Sequence, residues 1–157
     1  GRIGKMVANL SSSFGAKVLA YDSFVKESND FFSIVSLEKL LKESDIISLH
    51  IPYNNENHHF IDSEAIELMK EGVIILNISR GGLIDENALY NAVKSGKVCG
   101  ACIDCFEEEP YLGKLKDLDE VQLTSHVGSY AKESRIQQEI DSCVKLISLM
   151  KKIKLYE

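Results

Sequence analysis

A chain of 157 residues, of which 45% are hydrophobic and 27% charged, is long enough to bury one hydrophobic core. The net charge of −6 with scattered Lys and Arg argues against nucleic acid as a direct partner. No apolar run approaches the roughly 20 residues of a membrane span, and the N-terminus has no basic region followed by an apolar stretch of the signal-peptide kind. We therefore expect a cytoplasmic globular domain without a membrane partner, whose four cysteines are reduced thiols.

Helices and strands are predicted to alternate along the chain. Gly15 and Gly96 are typical of helix C-terminal ends, and Ser36 and Asp85 of helix N-caps. The predicted strands are nearly continuous apolar runs, which indicates a parallel sheet covered by helices on both faces. The sequence thus predicts an α/β fold with a doubly wound parallel sheet. The predicted helices are 2–14, 36–44, 63–69, 85–96 and 131–152, and the predicted strands are 17–22, 45–52, 73–77, 98–104 and 121–125. One face of the last helix carries Ile136, Ile140, Cys143, Val144 and Ile147.

The opening segment GRIG has the spacing of the last two glycines of G-x-G-x-x-G, the turn that holds a dinucleotide pyrophosphate at a helix N-terminus. Asp22 ends the next predicted strand, at the spacing typical of an acid that binds the adenosine ribose hydroxyls. A carboxylate there also repels the 2′-phosphate of NADP, so NAD is the expected cofactor. We then expect the first glycine and its strand to lie outside this chain, leaving strands 17–22 and 45–52 beside a gap.

Polar residues follow the predicted strands, at the sheet edge where open parallel sheets bind ligands. Arg80 can hold a carboxylate with two parallel hydrogen bonds, or can instead pair with a loop acid such as Asp85. Gly81 and Gly82 allow the backbone to turn sharply or to approach a ligand closely. His126 is suited to proton transfer, and an acid in the run 107–109 could contact it. The polar residues at these strand ends are Asp22, His50, Asn77, Ser79, Arg80, Asp104 and His126, with Pro52 ending one strand.

Two further groups of possible ligands have simpler interpretations. Cys99, Cys102 and Cys105, with a distant Cys143, have a spacing that can hold an iron–sulfur cluster. A strand, however, points residues three apart to opposite faces, so we favour small buried apolar side chains. His58 and His59 lie in a polar loop without an acid or metal-ligand spacing around them, so no metal site is predicted.

The segments NISRGGLIDENAL, GACIDCFEEEP and LTSHVGS, in this order after GRIG and a strand ending in YD, resemble the D-isomer-specific 2-hydroxyacid dehydrogenases. The resemblance runs from Gly1 to about residue 135. It implies a Rossmann-type NAD-binding domain that lies in sequence between two parts of a substrate domain. Residues 1–130 would form this domain without its first strand, and 131–157 a closing helix leading back towards the substrate domain. A homodimer is also implied.

The resemblance also implies residue roles. Arg80 would bind the substrate carboxylate and carbonyl, His126 would be the general acid and base, and Glu109 would hydrogen-bond to that histidine. Asp104 would hold the nicotinamide carboxamide. Ser125 departs from the family motif, which usually has Pro there. Asn57 stands where a Thr commonly meets the cofactor. The other implied cofactor-binding residues are Gly1, Arg2, Ile3, Gly4, Asp22, Pro52, Ile78 and Gly128.

The implied activity is NAD-dependent interconversion of a D-2-hydroxy acid and its 2-oxo acid, with D-3-phosphoglycerate and glycerate/hydroxypyruvate as candidate pairs. We expect the isolated 157-residue chain to be inactive and poorly folded, because a central strand would be missing. The alternative is an NAD-sensing corepressor of the same fold. The formate dehydrogenase branch is disfavoured, since its histidine pairs with glutamine where this chain has Glu109.

Overall fold

The computed structural model describes residues 1–152 and contains two compact units, Gly1–Ser125 and His126–Glu157. The first unit alternates helices and strands, and the second contains one long helix. The elements are α1 (Arg2–Ser13), β1 (Leu19–Ala20), β2 (Ser33–Ile34), α2 (Leu37–Glu43), β3 (Ile46–Leu49), α3 (Ser63–Glu67), β4 (Val73–Asn77), α4 (Glu86–Ser95), β5 (Val98–Ile103), β6 (Val121–Leu123) and α5 (Lys132–Lys152). Short 3₁₀ turns occur at Asn55–Asn57, Gly81–Leu83 and Lys114–Asp117.

Local sequence signals account for the helix ends. The Ser36 side chain accepts a hydrogen bond from the Lys39 amide and caps α2, while Asp85 accepts from two amides in the first turn of α4. Gly96 ends α4 with a φ of +84°, in the left-handed region that glycine tolerates best. The predicted capping roles of Ser36, Asp85 and Gly96 are therefore confirmed.

The main sheet has four parallel strands in the order β3-β4-β5-β6, with Ile75 paired to Ile47 on one side and to Ala101 on the other. A second, two-stranded parallel sheet pairs β1 with β2. The predicted parallel α/β fold is confirmed. The sequence analysis missed β2 because two residues are too few to show a periodic pattern.

The two sheets are separated where the sequence predicted a gap. A cavity of about 600 Å³ lies between β1 and β3, and its lining includes Leu19, Ala20, Ile46 and Ile47. Ile46 is 58% exposed although it lies on a parallel strand. The cavity is therefore an apolar interruption of the sheet, and the glycine turn at Gly1 and Gly4 lies at its border.

The hydrophobic core lies around the two central strands of the main sheet. Ile75 and Leu83 are fully buried, and Val73 and Leu89 are 1% exposed. Two polar side chains are buried with them, Asn77 at the end of β4 and Asp104 after β5. A tight core under these strand ends provides a rigid base for the loops that follow them.

The second unit consists mainly of α5, and none of the residues described in this helix is buried. Its predicted apolar face is about half exposed, with Ile136 at 48% and Ile140 at 49%. No helix within residues 1–152 is long and apolar enough to cross a membrane.

Candidate functional site

The turn that carries Arg80 is held by Asn77, the last residue of β4. Asn77 Nδ2 donates to the Arg80 carbonyl over 2.9 Å, and its Oδ1 accepts from the Ser79 amide over 3.1 Å. Ser79 Oγ donates to the Leu49 carbonyl over 2.5 Å, which ties the turn to β3. Because Asn77 is only 1% exposed, these bonds form in a low-dielectric setting and fix the backbone from which Arg80 projects.

The Arg80 side chain is exposed and donates from Nη1 to the Ser79 carbonyl over 2.6 Å. Asp85, the acid considered as its alternative partner, instead accepts the Asn87 and Ala88 amides at the start of α4. Within residues 1–152, no ion pair joins Arg80 to Asp85. The alternative of an Arg80–Asp85 pair is therefore wrong, and the guanidinium faces solvent at the sheet edge.

Gly81 and Gly82 place this turn in contact with other parts of the same chain, namely the Phe106 backbone and the Tyr53 ring. A Cβ at Gly81 would lie 1.8 Å from the Phe106 carbonyl carbon, and one at Gly82 would lie 2.6 Å from the Tyr53 ring. Gly81 is needed for this packing because its neighbours are backbone atoms, whereas at Gly82 the Tyr53 side chain could move aside. Because Gly81 has no side chain, the Arg80 turn packs directly against the loop that contains Glu109.

The segment from Asp104 to Glu109 forms the other side of the site. Asp104 is 4% exposed, and its Oδ1 accepts from Thr124 Oγ1 over 2.6 Å. The Phe106 amide donates to Glu109 Oε1 over 3.2 Å, which folds the Glu109 carboxylate back onto its own loop. These bonds place two acids of different burial at the end of β5.

The buried thiol of Cys105 lies among these charged groups. Burial, followed by the negative charges of Asp104 and Glu109, raises the pKa of Cys105 to about 11, and the positive charge of Arg80 partly opposes them. The charges of Arg80, Asp104 and Glu109 all act on the Cys105 thiol. These three residues therefore lie around Cys105, at the carboxyl ends of β4 and β5.

His126 begins the second unit and is half-buried, with a φ of +55°. Few non-glycine residues adopt this left-handed conformation, which is found preferentially at functional sites. Thr124, two residues earlier, is anchored to Asp104. The predicted contact between His126 and Glu109 stays a prediction, as does the cofactor role of Gly128 in the same segment.

The glycine turn begins α1, where the Gly1 carbonyl accepts from the Lys5 amide over 3.1 Å. A Cβ at Gly4 would lie 3.4 Å from His50 Cβ, so α1 begins close to the end of β3. Arg2 and Ile3 are exposed in the first helical turn. Such a helix N-terminus offers unpaired amide donors and a positive dipole end to a phosphate, so the residues present fit a dinucleotide.

Asp22 lies beside this turn. Its Oδ1 accepts from the Phe24 amide over 2.8 Å and from the Val25 amide over 3.1 Å, and these two bonds lower the pKa of Asp22. Its Oδ2 lies 3.6 Å from the Gly1 nitrogen. Asp22 is therefore an ionised turn residue that also faces the glycine turn.

Three more predicted positions lie around the ends of β3 and β4. The Pro52 carbonyl accepts from Asn57 Nδ2 over 2.6 Å, so the residue that replaces the usual Thr stabilises its own loop. Ile78 is 51% exposed directly after β4. His50 Nε2 lies 3.0 Å from Ser48 Oγ, and burial lowers the pKa of His50.

The expectation that no acid surrounds His58 and His59 is wrong. His59 Nε2 lies 3.0 Å from Glu107 Oε1, and its Nδ1 lies 4.0 Å from Asp85 Oδ2. Both acids are distant from His59 in sequence and reach it only through the fold. Local spacing could not have revealed this cluster.

The cysteines do not share one environment. Cys105 is buried, as expected, and Cys102 is half-buried. Cys99 and Cys143 are exposed, so the expectation of burial is wrong for Cys99. Cys99 Sγ donates to the Gly72 carbonyl over 2.9 Å at the far end of β5. These different environments support four separate free thiols and not a shared iron–sulfur cluster.

Taken together, the parallel sheet, the glycine turn at a helix start and the acid after the next strand define a dinucleotide-binding α/β domain. The match to a family model makes the assignment specific: residues 1–128 match the D-isomer specific 2-hydroxyacid dehydrogenase, NAD binding domain. The chain belongs to this family.

Relatives of known activity cover most of the chain. It is 44% identical over 150 residues to the hydroxypyruvate reductase of Thermotoga maritima, a match that covers 93% of this chain and 49% of that protein. It is 41% identical over 140 residues to the D-3-phosphoglycerate dehydrogenase of Methanocaldococcus jannaschii, covering 86% of this chain and 27% of that protein. The chain therefore spans about half or less of the length of these relatives.

Solved structures agree with the family assignment. The D-lactate dehydrogenase of Aquifex aeolicus, complexed with NAD and lactic acid, has a TM-score of 0.84 at 38% identity, covering 99% of this chain and 52% of that one. A D-2-hydroxyisocaproate dehydrogenase structure has a TM-score of 0.90 at 34% identity, covering 97% of this chain and 51% of that one. The predicted NAD-binding Rossmann-type fold is thus confirmed.

Proposed function

We propose that this chain is the NAD-binding part of an enzyme that interconverts a D-2-hydroxy acid and its 2-oxo acid. The observation that carries the proposal is the Arg80 turn, which buried Asn77 holds and Gly81 presses onto the Glu109 loop. An exposed arginine on a rigid turn, beside acids at the end of a parallel sheet, suits a small carboxylic acid.

Three residues of this chain have separate roles in the proposed reaction. Arg80 binds the substrate carboxylate bidentately and stabilises negative charge on the carbonyl oxygen during reduction. His126 donates a proton to that oxygen during reduction and accepts it during oxidation. Glu109 hydrogen-bonds to His126 and stabilises its protonated form. Bound NADH supplies the hydride for the carbonyl carbon.

The cofactor-binding residues follow from the same proposal. The backbone amides from Gly1 to Gly4, with Arg2 and Ile3 between them, bind the pyrophosphate at the start of α1. Asp22 accepts hydrogen bonds from the ribose hydroxyls and disfavours NADPH. The remaining contacts come from Pro52, Ile78, Asp104 and Gly128.

Hydroxypyruvate, glyoxylate and 3-phosphohydroxypyruvate are the first substrates to test, because reductases and dehydrogenases named for these acids or their reduced forms are among the similar proteins. These relatives support an enzyme and lend no support to the corepressor alternative. We expect the full-length protein to be a cytoplasmic homodimer, which light scattering coupled to size-exclusion chromatography would test.

The test uses the full-length protein with NADH and each 2-oxo acid. Turnover should yield the D-hydroxy acid, and Arg80→Ala should raise KM and lower kcat, since a misplaced substrate can cost about 10²-fold in rate. Arg80→Lys keeps the charge but loses the planar fork, so it should restore only part of the activity. Arg135→Ala, on exposed α5, is the matched control. Exclusive formation of the L-product, or no turnover of any 2-oxo acid, would overturn the proposal.

A further inference from the structure

A second cluster of potential ligands lies outside the proposed catalytic residues. One ligand atom from each of His58, His59 and Glu107 lies within 4.8 Å of the others. The two imidazole rings stack with centroids 3.8 Å apart, and His59 Nε2 lies 3.0 Å from Glu107 Oε1. We propose that His58, His59 and Glu107 form a Zn²⁺ site, which we call the His58–His59–Glu107 site.

The backbone that carries these ligands is held together by contacts between three loops. His59 has a φ of +52°, and its amide donates to the Gly82 carbonyl over 2.8 Å. The Glu107 amide donates to Glu86 Oε1 over 2.9 Å. Gly81 packs directly on the Phe106–Glu107 peptide. Tertiary contacts thus maintain the left-handed conformation of His59. Residues held in such rare backbone conformations cluster at ligand-binding and catalytic sites.

Each histidine also has a second partner on the ring nitrogen that a metal would not use. Tyr53 Oη lies 3.2 Å from His58 Nδ1, and Asp85 Oδ2 lies 4.0 Å from His59 Nδ1. Metal-binding histidines usually hydrogen-bond through the ring nitrogen that does not bind the metal, which orients the ring. The Tyr53 contact is short enough for such a bond, whereas Asp85 is an ion-pair neighbour of His59. In both histidines this arrangement leaves Nε2 as the ligand atom.

The donor set and the local charge favour Zn²⁺. Two imidazoles and one carboxylate are a known zinc donor set with an open fourth position for water. Asp85, Glu86 and Glu107 bring carboxylates together around His59, and their negative charges repel one another. A bound dication would relieve this repulsion.

The most widely separated ligand atoms must move closer together to bind one metal ion, whereas His59 Nε2 and Glu107 Oε1 are already 3.0 Å apart. In a tetrahedral zinc site with bonds of about 2.0–2.1 Å, the ligand atoms lie about 3.3 Å from one another. In the structure the three ligand atoms are separated by distances of up to 4.8 Å. His58 and Glu107 are exposed, so rotation of their side chains can close the difference without disturbing the core.

The experiment measures Zn²⁺ binding to the full-length protein by competition with a chromogenic chelator. We expect the double variant His58→Gln/His59→Gln, and separately Glu107→Gln, to lose more affinity than the about 10- to 100-fold that removal of an outer partner causes. Tyr53→Phe should lose affinity within that smaller range. Glu108→Gln changes the neighbouring acid of the same loop and should bind Zn²⁺ as the unmodified protein does.

Substitution with Co²⁺ identifies the donor atoms. The His58–His59–Glu107 site should give the absorption of tetrahedral Co²⁺ without a thiolate charge-transfer band, because its ligands are nitrogen and oxygen. Melting temperatures without metal show whether each variant folds. The proposal is overturned if the histidine variants and Glu107→Gln retain unmodified affinity, if Glu108→Gln loses as much as Glu107→Gln, or if the cobalt spectrum shows thiolate ligation.

Discussion

The side-chain amide of Asn77 donates a 2.9 Å hydrogen bond to the backbone carbonyl of Arg80, so a buried residue of β4 fixes the backbone that carries an exposed guanidinium. Asn77 is therefore a positioning residue. It connects the rigid core of the sheet to the group that we expect to bind the substrate.

Replacing Asn77 with Ala should lower stability and weaken substrate binding together. The change leaves the Arg80 carbonyl and the Ser79 amide without their buried partner, at a cost of about 1–3 kcal/mol for a buried polar group. KM for the 2-oxo acid should rise more than the NADH dissociation constant. Denaturant unfolding and steady-state kinetics of the full-length protein measure these effects. Asn91→Ala on the exposed face of α4 is the control, and equal effects at both positions would contradict the positioning role.

Gly81→Ala should be much more damaging than Gly100→Ala. A methyl group at Gly81 would overlap the Phe106 backbone at 1.8 Å, whereas one at Gly100 would make ordinary contacts at 3.6 Å or more. Overpacking of this kind typically costs about 1–3 kcal/mol, and here it also separates the Arg80 turn from the Glu109 loop. Melting temperature and kcat should both fall for Gly81→Ala. A Gly81→Ala protein with unchanged turnover would show that the two loops need not be in contact.

Much of this architecture could be predicted from the sequence, because local signals coincide with it. Local sequence predicts the helix ends at Ser36, Asp85 and Gly96, and the apolar run 73–76 predicts β4. The two-residue strand β2 carries no such signal, and its pairing depends on tertiary contact with β1.

The candidate site was predictable where residue type and strand end coincide, as for Arg80 and Asp104. The Asn77 anchor and the His59–Glu107 contact were not, because they join groups through the fold. The sequence shows that Asn77 is a polar residue at a strand end. Because the structure buries its side-chain amide, that amide needs hydrogen-bond partners within the protein, which the sequence alone does not indicate.

Asp22→Asn should narrow the preference of the full-length enzyme for NADH over NADPH. The carboxylate faces the glycine turn, and the Phe24 and Val25 amides lower its pKa, so Asp22 stays ionised at neutral pH and repels a 2′-phosphate. Fluorescence titrations with both cofactors measure the ratio of dissociation constants. Asp30→Asn, in the exposed loop nearby, should leave the ratio unchanged. Equal affinity for both cofactors in the unmodified protein would contradict the role of Asp22.

Alkylation should distinguish Cys99 from Cys105. Cys99 is exposed, whereas Cys105 is buried and has its pKa raised to about 11, so very little of its thiolate exists at mildly alkaline pH. Iodoacetamide labelling followed by peptide mass spectrometry should show Cys99 modified first and Cys105 modified on unfolding. Early labelling of Cys105 in the folded protein would show that the loop after β5 opens readily.

The most direct measurement of the central claim compares NADH binding with turnover in full-length His126→Ala. A general acid contributes about 10²- to 10⁴-fold to rate, so kcat for 2-oxo-acid reduction should fall by that factor while NADH affinity and melting temperature change little. Unchanged turnover in a folded His126→Ala protein would contradict the assignment of His126 as the proton donor, and with it the catalytic account of this chain.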